Sequence, residues 1–311
     1  MVAPRIRPAR RAMLLGLAGA TALLAGARFV KAARAMTLHT RPIPSSGEPL
    51  PVIGLGTWQT FDVGADAAAR APLAEVLRLF SAAGGQVIDS SPMYGAAESV
   101  VGDLVAEAGL QARLFLATKV WTRGRSAGIA QMEQSLARLH AQRIGLMQVH
   151  NLLDVETHAG TLAEWKRAGR VRHVGITHWS ASAYGEVERQ LKARAWDTLQ
   201  INYSLAEPES AERLLPLAQD RGVAVIVNRP FAEGALFRRT RGKPLPDWAA
   251  ELGIESWAQY FLKWILGHPA VSCAIPGTGR PAHMRDNLAA GTGALPDAAM
   301  RRHMAAHFAN L

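Results

Sequence analysis

Four residues of this 311-residue chain have types and positions that suit joint chemistry: Asp89, Tyr94, Lys119 and His150. Asp89 ends the apolar run Val87-Ile88, Lys119 ends Leu116-Ala117-Thr118, and His150 ends Met147-Gln148-Val149. Tyr94 follows Asp89 in a turn bounded by Pro92 and Gly95. Taken singly, each has an ordinary explanation: a helix cap, a surface lysine, a hydrogen-bonded core histidine, a packing ring. Three consecutive apolar runs that each deliver an ionisable group to the same end call for a further reason. A phenol ionises at about pH 10, but an adjacent ammonium lowers that value. Lys119 supplies the ammonium, and pairing with Asp89 keeps it charged against desolvation. His150 then donates a hydrogen bond to a carbonyl oxygen and orients it towards Tyr94. The set suits protonation of an oxygen that gains negative charge. Carbonyl reduction by hydride from a nicotinamide needs this and little else, without a metal or a covalent nucleophile.

The elements that must carry these groups alternate short β-branched runs with amphipathic stretches. Strands are predicted at 52–57, 86–90, 114–120, 146–151, 171–177, 198–203, 223–229 and 271–275. Helical stretches are predicted at 67–83, 127–140, 162–168, 182–192, 209–220 and 255–266. Several strands are apolar nearly throughout, such as Val223-Ala224-Val225-Ile226-Val227, which suits parallel strands covered on both faces. Eight such units predict a (β/α)₈ barrel, whose chemistry sits at the carboxyl ends of its strands. Ahead of the first unit, Thr37–Arg41 and Leu50–Ile53 flank Ser45-Ser46-Gly47, a β-hairpin placed to close the barrel floor. A doubly wound sheet is the rival fold, but no Gly-x-Gly-x-x-Gly follows any of the strands. His303 and His307 have ligand-like spacing, yet beside Arg301 and Arg302 they read as a solvated face, so no metal is expected.

With 49% hydrophobic and 19% charged residues, the chain is neither disordered nor fibrous. The net charge of +10 suggests a nucleic-acid or membrane partner only until its distribution is seen: no acidic residue precedes Glu48, and seven positive charges lie in residues 1–35, leaving +3 for the rest. Neither nucleic-acid binding nor a stable membrane span is expected. The single cysteine, Cys273, excludes an intrachain disulfide. Residues 1–35 join adjacent Arg10 and Arg11 to an apolar run, Ala12–Ala27, and to the small-residue pattern Ala33-Arg34-Ala35. The run is short for a membrane span, which takes ~20 residues. The segment resembles a twin-arginine signal peptide, which implies the twin-arginine translocase as a transient partner and a periplasmic protein. An uncleaved tail on a cytoplasmic protein is the alternative.

From the hairpin at Thr37 to the last helices, the chain resembles the aldo-keto reductase family. The resemblance rests on Gly85-Gln-Val-Ile-Asp89-Ser-Ser-Pro-Met-Tyr94-Gly95, Ala117-Thr-Lys119-Val-Trp121, His150-Asn151-Leu152 and Ile275-Pro-Gly-Thr278. It implies a (β/α)₈ barrel over 36–311 and a catalytic tetrad of Asp89, Tyr94, Lys119 and His150, with Tyr94 as general acid. It also implies a nicotinamide cofactor bound in extended form. Gly56, Thr57 and Trp58 match the loop beside the nicotinamide, with Asp89 close by, and Gln200 matches the glutamine that binds its carboxamide. Thr177-His178 stands where the family usually has Ser-Asn. Asn228 stands where many members stack an aromatic ring, a loss on the order of 1 kcal/mol in cofactor binding. Thr278, Arg280, Asp286 and Asn287 match the adenosine-phosphate segment. Arg280 near a helix start suits a 2′-phosphate, which favours NADP(H), with NAD(H) as the alternative. Trp58, Met93, Trp121 and Trp179, with Phe231, are placed to line an apolar pocket for a small carbonyl substrate. His178 and Asn228 motivate a second reading, a nicotinamide-binding redox sensor with little turnover.

Overall fold

The computed structural model describes residues 37–311. The segment 1–35, and with it the export signal, lies outside the described residues. An antiparallel hairpin opens the fold, β1 (Thr40–Pro42) against β2 (Pro49–Pro51), with Thr40 opposite Pro51. Eight strands follow in one sheet, each hydrogen-bonded to the next in sequence: β3 (Leu55–Gly56), β4 (Val87–Asp89), β5 (Phe115–Val120), β6 (Ile144–His150), β7 (Val171–Thr177), β8 (Thr198–Asn202), β9 (Ala224–Asn228) and β10 (Val271–Ala274). All seven pairings are parallel. The sheet closes on itself, because Ile53 bridges Ala274, Gly56 bridges Gly277, and the Gly54 N–H donates to the Ala274 carbonyl at 2.8 Å. The predicted barrel is the observed one.

Helices fill the crossovers: α1 (Ala67–Ala82), α2 (Ala97–Glu107), α3 (Arg125–Arg138), α4 (Val155–Arg167), α5 (Tyr184–Ala193) and α6 (Ser210–Asp220) follow β3 to β8 in turn. After β9 come α7 (Ala235–Thr240) and α8 (Trp257–Leu266), and after β10 come α9 (Pro281–Ala290) and α10 (Ala298–Ala309). Helix starts are set by side-chain caps where the sequence offers them: Asp66 accepts from the Ala68 N–H, Ser256 from Gln259, and Asp297 from Met300. Two apolar cores result from the alternation of strand side chains. The larger packs Ile88, Leu116, Met147, Val149, Ile176 and Ile201 against the helices. The smaller lies inside the barrel, where Val87, Phe115, Ala117, Leu146, Ala224, Ile226 and Cys273 meet Ile43 and Leu50. Ile43 and Leu50 come from the hairpin, so it plugs the floor as expected. Each such fully buried aliphatic side chain stabilises the fold by about 1.5–3 kcal/mol relative to exposure.

Helix α2 is absent from the sequence reading. Gly102 breaks its pattern, and the structure gives the reason: a Cβ there would lie 2.0 Å from the Arg138 carbonyl, so only glycine lets α2 press onto the end of α3. His303 and His307 also depart from expectation. Rather than forming a purely solvated face, both rings pack on Trp248, with centroids 4.7 and 5.8 Å away. Among the described residues no group of histidine, cysteine and acidic side chains is arranged to hold a metal, and no helix is long and apolar enough to cross a membrane.

Candidate active site

Strand register brings the four chemical residues to one end of the barrel. Asp89 ends β4 beside Gly56 and Ala117, Lys119 lies opposite Gln148, and His150 ends β6 opposite Thr177. Asp89 and Val87 share the inward face, as do Lys119 and Ala117, and His150, Gln148 and Leu146. Apolar residues therefore fill the barrel and polar ones form its upper layer.

Lys119 is the centre of that layer and is wholly buried. Its Nζ donates to Asp89 Oδ2 at 2.6 Å and to the Ser90 carbonyl at 2.6 Å. An ammonium has three protons; the third side faces Tyr94, whose ring centroid is 5.0 Å from Nζ. The other carboxylate oxygen of Asp89 accepts from Gln148 Nε2 at 3.2 Å and Gln200 Nε2 at 2.7 Å. Gln200 is held in turn by the Thr177 hydroxyl at 3.0 Å. Thr57 closes the other side, its hydroxyl donating towards the Asp89 carbonyl and Ser90 Oγ, each at 3.0 Å. Burial alone would strip the lysine of its proton, but the Asp89 charge and the Tyr94 oxygen outweigh it, so its pKa stands above the ordinary value.

Tyr94 corrects one expectation. Lys119 does pull the phenol pKa down, but burial opposes it more strongly, so the net shift is upward from 10.0. A buried hydroxyl next to a satisfied ion pair stays protonated, the state a proton donor requires. The turn that carries it depends on Gly95, which has φ of +59° and leaves room where a Cβ would sit 2.3 Å from the Asp62 carboxylate. Asp62 Oδ1 accepts from the next N–H, that of Ala96, at 2.8 Å.

His150 stands edge-on to Tyr94, with ring centroids 6.0 Å apart at 83°. Burial first, then the charge of Lys119 and the nearby His178, press its pKa down to about 2. The imidazole is neutral at any working pH. Directly after it, Asn151 and Leu152 adopt positive φ of 52° and 55°, a strained path for non-glycine residues of the kind that concentrates at functional sites.

The remaining residues assigned from sequence divide into those gathered here and those committed elsewhere. Four of the five exposed large hydrophobics among the described residues are Trp58, Met93, Trp121 and Trp179, each 40–50% exposed. All four follow barrel strands at this end, which marks an apolar mouth. Phe231 does not join them: it packs on Phe237, centroids 4.9 Å apart, and on the core. His178 accepts from the N–H groups of Trp179 and Ser180 through Nδ1, at 3.0 and 3.1 Å. Asn228 donates to the His178 carbonyl at 3.1 Å, while its buried Oδ1 has no partner. At the end of β10, Thr278 Oγ1 caps the Arg280 N–H at 3.1 Å, and the exposed Arg280 side chain forms no ion pair among the described residues. Asn287 is buried nearby on α9. Asp286 is committed to structure: both its oxygens accept from the Ser256 hydroxyl, at 2.9 and 2.8 Å, and one also from Gln259 at 2.7 Å.

Two contributors escaped the sequence reading. Gln148 lies two residues before His150, so strand period alone aims it inward. Arg229, after β9, pairs with Glu207 and Glu233 and lies over the Trp179 ring at 5.3 Å; nothing in the local pattern marks it.

A closed parallel barrel with a buried lysine–carboxylate pair, a protonated phenol and a neutral imidazole at its mouth defines a reductase-like class of proton-donating site. Comparison with known proteins makes the family definite. The model of the Aldo/keto reductase family matches residues 52–306, and the chain belongs to that family. It is 29% identical over 260 residues to methylglyoxal reductase YeaE of Escherichia coli, covering 81% of this chain and 89% of that protein. It is 25% identical to aldo-keto reductase YhdN of Bacillus subtilis, covering 75% and 82%. Among solved structures, an aldo/keto reductase from Klebsiella pneumoniae in complex with NADP and acetate aligns with a TM-score of 0.72 at 27% identity, over 84% of this chain and 93% of that one.

Proposed function

We propose that the protein reduces an aldehyde or ketone to an alcohol with NADPH, using Tyr94 as general acid. The observation that carries the proposal is the Lys119 ammonium clamped between the Asp89 carboxylate and the Tyr94 phenol at the barrel mouth. Bound at this mouth, a dihydronicotinamide supplies hydride to the carbonyl carbon. Tyr94 gives its proton to the oxygen as that oxygen gains charge, and Lys119, kept charged by Asp89, stabilises the phenolate left behind. His150 donates a hydrogen bond to the same oxygen and holds it towards Tyr94. Trp58, Met93, Trp121 and Trp179 exclude water from the rest of the substrate and favour an apolar substituent.

The residues present fit a nicotinamide dinucleotide. Asn228 Oδ1 is a buried acceptor without a partner, suited to an amide N–H. Gly56 and Thr177 end their strands at this end of the barrel, Thr57 and His178 follow them directly, and Gln200 pairs with Thr177; Arg280 and Thr278 offer a guanidinium and a hydroxyl at the start of α9, and Asn287 an amide two turns further along it. Two solved relatives from Klebsiella pneumoniae hold NADP and NADPH, each at 27% identity, which supports NADP(H) over NAD(H). The sensor alternative, which His178 and Asn228 motivate, is disfavoured by the family match and by relatives that are named reductases. Steady-state NADPH oxidation with a panel of aldehydes, comparing wild type with Tyr94→Phe, tests the reading. Turnover by wild type that Tyr94→Phe loses by at least about 100-fold, with NADPH binding retained, is expected; equal rates overturn it.

Residues 1–35 are assigned as a twin-arginine-type signal peptide, delivering a mature domain of 36–311 to the periplasm with its cofactor loaded beforehand. Support comes from the paired Arg10-Arg11, the weakly apolar run after them, and a family match that begins only at Val52. Cell fractionation with amino-terminal sequencing of the mature protein tests it; an intact amino terminus in the cytoplasmic fraction refutes it.

A further inference from the structure

A neutral imidazole carries one N–H, and only if that proton is on the nitrogen facing the substrate can His150 donate. Nδ1 of His150 lies 3.1 Å from Ser91 Oγ. Ser91 is fully buried, and its oxygen also accepts from the Met93 N–H at 3.4 Å. Among the described residues, the only acceptor within reach of the Ser91 hydroxyl proton is His150 Nδ1. If Nδ1 held the imidazole proton, the serine proton would be buried without an acceptor, and Nε2 would present a lone pair to a substrate oxygen. We propose that Ser91 is a positioning residue that holds His150 in the Nε2–H tautomer, with its donor free for the substrate. The inference rests on the reading of His150 as the donor to the carbonyl.

The arrangement gives one short loop control over the whole site. Asp89 begins it, the Ser90 carbonyl accepts a hydrogen bond from Lys119, Ser91 sets the imidazole, and Tyr94 ends it. The two proton donors that must meet one oxygen are thus referenced to the same six residues, 89–94. Ser91 touches neither substrate nor cofactor in this scheme; it acts through His150.

Two-bond ¹H–¹⁵N correlation spectra of the full chain labelled with ¹⁵N-histidine read the tautomer directly, with His150 assigned by its loss in His150→Asn. The expected wild-type pattern is a protonated Nε2 and an unprotonated Nδ1, unchanged across neutral pH. Ser91→Ala is expected to mix the tautomers and to lower kcat/KM for an aldehyde by roughly three- to tenfold, the worth of one hydrogen bond; Ser91→Thr, which keeps the hydroxyl, restores both. A wild-type Nδ1–H tautomer, or a Ser91→Ala spectrum identical to wild type, overturns the proposal, and the wild-type spectrum tests it even if a variant fails to fold. If His150→Asn turns over like wild type while the Nε2–H pattern depends on Ser91, the donor reading has failed and the tautomer assignment has not.

Discussion

Replacing Asp89 with asparagine isolates the charge from the shape of the site. The new amide keeps an oxygen for Lys119, Gln148 or Gln200, so the loss is mainly that of an anion 2.6 Å from a fully buried ammonium. Breaking a buried pair at one partner costs about 3–5 kcal/mol; with the amide dipole retained, the lower end, about 3, is expected. At roughly 2–3 °C per kcal/mol for a domain of this size, Tm falls by about 6–9 °C. The pH dependence is more diagnostic. In the wild type both Lys119 and Tyr94 have pKa values raised in the folded state. The native protein therefore holds these protons longer than the unfolded chain, and their contribution is full below about pH 10 and is lost as pH rises through the folded values. Without Asp89, burial dominates the lysine and the repulsion it exerted on the phenolate is gone, so the coupled pair releases one proton earlier in the folded than in the unfolded state. The slope then reverses: stability rises with pH in the window just below 10. Urea unfolding of wild type and Asp89→Asn at a series of alkaline pH values reads both slopes, and tyrosinate absorbance reports whether the phenol gave up the proton. Equal midpoints, or slopes of the same sign, would refute the assignment of Asp89 as the group that keeps Lys119 charged.

With His150 pressed down to about 2 and Tyr94 held above 10.0, kcat/KM for reduction should stay flat between about pH 5 and 9 when chemistry limits the rate; a limb near the ordinary histidine value of about 6.5 would contradict the neutral imidazole. Arg280→Ala should raise the Kd of NADPH by about tenfold and leave that of NADH unchanged, as measured by fluorescence titration, because only the 2′-phosphate is lost as its partner. Gly95→Ala forces a Cβ into the Asp62 carboxylate at positive φ; a destabilisation of about 2 kcal/mol or more, with kcat falling further than KM rises, is expected from thermal melts and aldehyde kinetics.

Side-chain periods explain which parts of this molecule can be read without coordinates. A strand covered on both faces must be an apolar, β-branched run, and seven of the eight barrel strands lie within runs so marked, with Val171–Thr177 matching at both ends; the eighth, Ile144–His150, starts two residues ahead of its run. The tetrad is legible for the same reason: an ionisable residue at the end of such a run is at the rim. Gln148 is legible by the same period once His150 is placed. Helix α4 starts at Val155, seven residues ahead of the predicted stretch, because Thr157, His158 and Gly160 mask its apolar face. What no local pattern contains is a partnership between distant residues. Ser91 meets His150 across 59 positions, and Asp286 meets Ser256 across 30; until the fold brings them together, Ser91 is one more turn serine and Asp286 remains free for a nucleotide. Tyr94 belongs with these. Its neighbour Lys119 can be named from the sequence, and so can the direction in which an ammonium moves a phenol. Whether that charge outweighs burial depends on how deep the ring lies, and depth belongs to the barrel as a whole. In this chain burial prevails, which makes Tyr94 a donor held ready in its protonated form, with Lys119, kept charged by Asp89, stabilising the anion only once the proton has gone.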